Sequence, residues 1–206
     1  MPEVVGESPS RLTGCLSCGA PRLSEFVCEA CGSISEIPSD AFVIFGLARS
    51  WAIDALLLEQ RYEALVRTLR EKSSAREDAR AGVTAALEAL DAARRRLLDP
   101  FERGHFLLRS FGGAEREKPL RKREVQSEIM EMDKAAAKAR RDGDSARLAS
   151  VVLEAEEKLA SAIMAAGQSF TRLERSLVDE VSAAADALAE ARLWRRKVDE
   201  LRASRG

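Results

Sequence analysis

The chain is short of the residues that most catalysis and most ligand chemistry rely on. Its 206 residues include one histidine, one tyrosine and only four cysteines, and aromatic side chains make up 5% of the total. No glycine-rich phosphate loop is present, because Gly112-Gly113 lacks the lysine and hydroxyl residue that would have to follow. The lone histidine, His105, sits beside Phe106 and Leu107 and reads as a packing or surface residue. Carboxylates are abundant, but they recur at helical spacing among Lys and Arg, as in Glu154-Ala155-Glu156-Glu157-Lys158, which marks a solvated face. With no base, nucleophile or open metal position set among convergent polar groups, no enzymatic activity is expected. The formal net charge of −1 lacks the basic surplus that a nucleic-acid backbone demands, so a nucleic-acid partner is disfavoured. No apolar run approaches the roughly 18 residues of a membrane span, and a cytoplasmic protein without a membrane partner is the expectation.

The four cysteines form two Cys-x-x-Cys pairs, Cys15/Cys18 and Cys28/Cys31. Each pair can fold as a tight knuckle that aims two thiolates at one point, and four thiolates are what a closed structural zinc site prefers. Gly19 and Gly32 each follow the second cysteine of a pair, where a positive φ would be costly for any other residue. Two disulfides are the rival arrangement. The absence of a secretory pattern in the opening residues and the paired spacing both count against it. A saturated tetrathiolate leaves no open position, so one Zn2+ would hold the fold and do no chemistry.

Residues 1–12 read as a mobile tail and 13–37 as the tetracysteine module, packing its own core. Pro38-Ser39-Asp40 then opens a J-like region expected to span 38–113. Phe42, Val43, Ile44, Phe45 and Leu47 suggest one buried helical turn ending near Gly46. Leu58, Tyr62, Leu65 and Leu69 recur at helical steps, as do Ala86, Leu90 and Leu97 beyond a break at Ser73 and Ser74. Two such helices make an antiparallel hairpin. Asp99-Pro100 starts a third, which Gly112-Gly113 stops. From 114 to 206, amphipathic stripes through Met132, Leu159 and Leu188 predict a three-helix bundle, with a turn at Asp142-Gly143-Asp144. The expected class is all-α.

Taken in order, these pieces resemble the HscB-type J-domain co-chaperones of iron–sulfur cluster assembly, in their tetracysteine form. The two cysteine pairs look like the family's zinc module. Ala41-Phe42-Val43-Ile44-Phe45-Gly46-Leu47 is similar to its first J-domain helix, and Leu58, Arg61-Tyr62, Leu65 and Arg67 match its second. Leu98-Asp99-Pro100, Arg103, Phe106-Leu107-Leu108 and Phe111-Gly112 look like the segment that ends the J domain, and Glu128 to Met132 like the start of the C-terminal bundle. The resemblance implies an accessory protein that binds an iron–sulfur scaffold or client, with a heat-shock ATPase as a second partner. Arg61, Arg67, Arg70, Glu71 and Lys72 would then face the chaperone.

Two departures qualify it. The family's His-Pro-Asp tripeptide, which triggers the partner ATPase, is replaced at its position by Arg70-Glu71-Lys72 and occurs nowhere else in the chain. Coupling to the chaperone is therefore expected to be impaired. The family's scaffold-binding patch corresponds to Gln126, Ser127, Met130, Glu131, Lys134 and Lys138, with Leu193 and Trp194 on the last helix, and lysines stand where acidic residues are usual. Met130, Glu131, Lys134, Leu193 and Trp194 are the candidate partner-binding residues. Heptad-like steps through Leu188, Ala191, Trp194 and Val198 also allow Trp194 to be core. The rival function is a zinc-module helical adaptor for protein–protein interaction, unrelated to chaperones.

Overall fold

A computed structural model describes residues 14–22, 24–73, 80–116, 122–175 and 180–204. The expected mobile tail, Ser74 of the expected break and the side chain of Lys72 lie outside the described residues. Seven helices are described: α1 (Ala41–Ile44), α2 (Ala55–Ser73), α3 (Arg80–Leu98), α4 (Pro100–Ser110), α5 (Lys122–Arg141), α6 (Ser145–Arg175) and α7 (Val181–Ala203). Among the described residues no strand forms beyond an isolated antiparallel bridge between Val27 and Ile34. The protein is all-α. The chain divides into two compact units, one of residues 1–49 and 53–99, the other of 50–52 and 100–206.

In the first unit, Asp40 starts α1 by accepting the Phe42 N–H at 2.8 Å, which satisfies one of the orphan amides of a helix start. Phe42, Ile44 and Phe45 are buried, and Gly46, at φ 60°, turns the chain out of the helix. Asp54 plays the same capping part for α2, accepting the Leu57 N–H at 3.0 Å. The buried stripes are Leu58, Leu65 and Leu69 on α2 and Ala86, Leu90, Ala93 and Leu97 on α3. Each fully buried leucine contributes roughly 1.5–3 kcal/mol. Glu59 pairs with Arg94 at 2.8 Å while Tyr62 donates to Asp91 at 2.5 Å. Partners that advance along α2 and retreat along α3 define an antiparallel hairpin.

The cysteine module belongs to this same unit. Phe26 and Val27 are wholly buried, and the Ser24 hydroxyl donates to the Ile44 carbonyl at the end of α1 at 2.6 Å. The module, expected to pack a core of its own, is joined to α1 by that bond and falls in the same compact unit as the hairpin.

In the second unit, Pro100 occupies the first turn of α4, where its missing N–H costs nothing. Phe101, Gly104, Leu107 and Leu108 are its buried face. A Cβ on Gly104 would lie 2.9 Å from a methyl of Leu188 on α7, so this helix packs against α7. It thus groups with the C-terminal helices, although the boundary expected at 113 assigned it to the J-like region. Gly143, at φ 66°, makes the α5–α6 turn, and Asp144 caps α6 by accepting the Arg147 N–H at 2.8 Å. Asp133 meets Lys197 and Arg140 meets Ser204, so α5 and α7 run parallel. Glu156 meets Arg202 while Arg172 meets Glu180, which makes α6 antiparallel to α7. The result is an up-down-up bundle with a seam rich in buried alanine: Ala136, Ala139, Ala155, Ala162, Ala166, Ala184, Ala185, Ala189 and Ala191.

Candidate metal centre and docking surfaces

The two knuckles close in the same way. The Gly19 N–H donates to the Cys15 carbonyl and the Gly32 N–H to the Cys28 carbonyl, both at 2.7 Å, and the glycines adopt φ of 72° and 74°. All four Sγ atoms consequently lie within 4.8 Å of one another, with 3.7 Å between Cys15 and Cys31 and 3.8 Å between Cys18 and Cys28. A tetrahedral zinc ion with Zn–S of about 2.3 Å sets its sulfurs about 3.8 Å apart. The donor set and its spacing therefore fit a tetrathiolate ion, and the four cysteines could bind a metal. The cysteines are free thiols, so the disulfide arrangement is not adopted.

The thiols are not equivalent. The Ser33 hydroxyl, with the Ser17 amide, holds Cys15 down at about 5, and Ser33 likewise lowers Cys31. Cys18 receives a lowering bond from the Ala20 amide, yet the neighbouring Cys31 sulfur and burial push it up to about 11. A cation gathering all four sulfurs must displace whatever protons they hold.

On α2, the residues expected to face a chaperone separate into two kinds. Arg61 is turned inward, its Nη1 donating to the Phe45 carbonyl at 2.6 Å and to the Gly46 carbonyl at 2.5 Å. It ties the end of α1 to α2. Arg67, Arg70 and Glu71 are exposed, and with Tyr62, Glu63 and Val66 they line a shallow cleft of about 390 Å³. The helix continues through positions 70–72 to Ser73, so Arg70-Glu71-Lys72 is helical.

No protein-family model matches the sequence, and no curated protein matches it. Two solved structures do match the fold. The human co-chaperone protein HscB superposes with a TM-score of 0.71 at 21% identity, over 93% of this chain and 98% of that one. The chaperone HscB from Vibrio cholerae gives 0.64 at 20% identity, over 81% and 97%. The fold is HscB-like.

Within this HscB-like fold the expected bundle patch is only partly at the surface. Met130 is 57% exposed, and Glu131 and Lys134 are exposed on α5. Leu193 is half-buried. Trp194 is 2% exposed, which corrects its assignment as a partner contact. It lies on the stripe of Leu188, Ala191, Val198 and Leu201, the face of α7 that the bundle buries. His105 donates through Nδ1 to Glu115, which also accepts from Arg192, a structural ion cluster in the second unit.

Two further positions that matter are only hinted at in the sequence. Ser33 stands beside the sulfur cluster, 3.2 Å from Cys15 Sγ, and its place two residues after the last cysteine is the only hint in the sequence. Trp51 stacks on Phe170 with centroids 4.8 Å apart and planes 9° apart, and its backbone N–H donates to Glu174 at 2.6 Å. The hint there was Gly167, a glycine in mid-helix without a turn, where a Cβ would fall 2.5 Å from the indole nitrogen.

Proposed function

We propose that this protein is an HscB-like accessory co-chaperone of iron–sulfur cluster assembly, working in the cytoplasm. It binds a scaffold or client protein and does not stimulate the ATPase of the heat-shock chaperone. The observation that carries the proposal is the agreement of fold over 93% of the chain with human co-chaperone HscB, joined to a helix that runs through the trigger position. A His-Pro-Asp trigger needs a helix that stops, and proline would stop it. Arg70-Glu71-Lys72 supplies neither the imidazole nor the break.

Docking and triggering are thereby separated. Arg67 and Arg70 remain available to steer an acidic chaperone surface, while Met130, Glu131 and Lys134 offer a Met-centred patch for the scaffold or client. The metal is zinc, bound by Cys15, Cys18, Cys28 and Cys31 in a structural role.

The test is steady-state ATP turnover by a J-domain-dependent heat-shock chaperone, with and without this protein, alongside capture of an iron–sulfur scaffold on the immobilised full chain. Scaffold capture with unchanged turnover is the expected result. A several-fold rise in turnover would refute the uncoupling, and failure to capture a scaffold or the chaperone would leave the adaptor function in its place.

A further inference from the structure

Ser33 occupies a position that the four-thiolate pattern does not require. Its hydroxyl oxygen lies 3.2 Å from Cys15 Sγ and 3.3 Å from Cys31 Sγ, and those two sulfurs are 3.7 Å apart. One hydroxyl therefore straddles an edge of the sulfur tetrahedron made of one cysteine from each knuckle. The backbone holds it there independently of the side chain, because the Cys28 N–H donates to the Ser33 carbonyl at 3.0 Å.

The direction of the hydrogen bond follows from the state of the sulfurs. A thiol can donate to the serine oxygen, but a metal-bound thiolate has no proton to give. Once a cation gathers the four sulfurs, the serine O–H must be the donor of this contact, with both Cys15 and Cys31 Sγ within its reach. A hydrogen bond to a coordinated thiolate draws negative charge off the sulfur, which tunes the bond to the metal in the way outer groups do at other centres. The Ser17 N–H, 3.4 Å from Cys15 Sγ, adds a second and longer donor on the same sulfur.

We propose that Ser33 is a positioning residue of the metal centre, its hydroxyl bridging Cys15 and Cys31 to stabilise their thiolates and so set how tightly the ion is held. The inference rests on the four cysteines binding a metal, and the experiment keeps the two failures apart. The full-length protein and its Ser33→Ala and Ser33→Thr variants are loaded with Zn2+, and affinity is measured by competition with a chromophoric chelator. The same three proteins are loaded with Co2+, and the sulfur-to-metal charge-transfer band is recorded. Ser33→Ala should bind zinc on the order of 10-fold more weakly. Its cobalt band should move to longer wavelength, because sulfur lone pairs without the hydrogen bond lie higher in energy. Ser33→Thr, which keeps the hydroxyl, should restore both.

The visible ligand-field bands of tetrahedral Co2+ report whether Ser33→Ala still folds around the ion. Wild-type protein that takes up neither metal would overturn the metal centre itself. A Ser33→Ala variant with wild-type affinity and an unmoved band would overturn the role of Ser33 alone. Weakened binding with an unmoved band, not restored by threonine, would mean that Ser33 merely packs, and would overturn the proposal equally.

Discussion

The same substitution, glycine to alanine, should have opposite effects at two helical positions. In α6, a Cβ on Gly167 would lie 2.5 Å from Trp51 Nε1, 3.0 Å from Cδ1 and 3.3 Å from Cε2. The indole cannot easily retreat. It is stacked on Phe170, Arg103 lies 5.0 Å above its ring, and its backbone is tied to Glu174. Overpacking of this kind costs roughly 1–3 kcal/mol, while alanine returns about 1 kcal/mol of helix propensity. The net loss is up to about 2 kcal/mol, a fall in melting temperature of up to about 8 °C for a chain of this length. In α3, Gly82 has nothing within 4 Å of a built Cβ, so Gly82→Ala should gain up to about 1 kcal/mol and melt a few degrees higher. Thermal unfolding followed by far-ultraviolet circular dichroism measures both. Removing the obstacle supplies a further check, since Gly167→Ala made in a Trp51→Ala background should cost nothing more. If Gly167→Ala alone melts above the wild-type temperature, as Gly82→Ala should, the indole is not seated against α6 as described.

Because the Ser24 hydroxyl bonds the Ile44 carbonyl, Cys28→Ser should loosen α1 as well as abolish metal binding; hydrogen exchange at Ile44 and Leu47 would report it, and unchanged protection would disprove that link. Trp194→Ala should cost about 3–5 kcal/mol, whereas Met130→Ala should stay within about 0.5 kcal/mol while weakening scaffold capture, and unfolding curves with a binding assay separate the two. Arg192 and then His105 hold the Glu115 carboxyl below its usual range, against a raising effect of burial. Its stabilising effect is therefore complete above the ordinary carboxylate pKa and disappears as pH falls through the lowered one, so Glu115→Gln should flatten the acid side of the stability–pH profile.

The cysteine cluster could be read directly from the sequence because a knuckle is a local object. Cys-x-x-Cys followed by glycine specifies a turn within five residues, and the observed φ of Gly19 and Gly32 is the geometry that spacing requires. Amphipathic stripes are equally local, since the helical period alone places Leu58, Leu65 and Leu69 on one face. The caps Asp40, Asp54 and Asp144, and the α5–α6 turn at Gly143, act over three or four residues.

What needed the tertiary structure was every choice between faces that local rules leave equivalent. A periodic pattern says that α4 has an apolar side but not which helix meets it, and the close approach of Gly104 to Leu188 decides for α7. Arg61 looks like a surface cation until the turn after α1 brings two carbonyls within its reach. Trp194 and Leu193 are neighbours in sequence, and only the packing of the bundle assigns the first to the core and leaves the second half-covered. Trp51 meets Glu174 across 123 residues, a distance over which no residue pattern carries information. Sequence by itself determined where helices form and where four thiolates converge, because those depend on neighbours a few bonds apart. Tertiary structure decided which apolar and polar groups meet, because that depends on shape complementarity between segments that the chain brings together only when it folds.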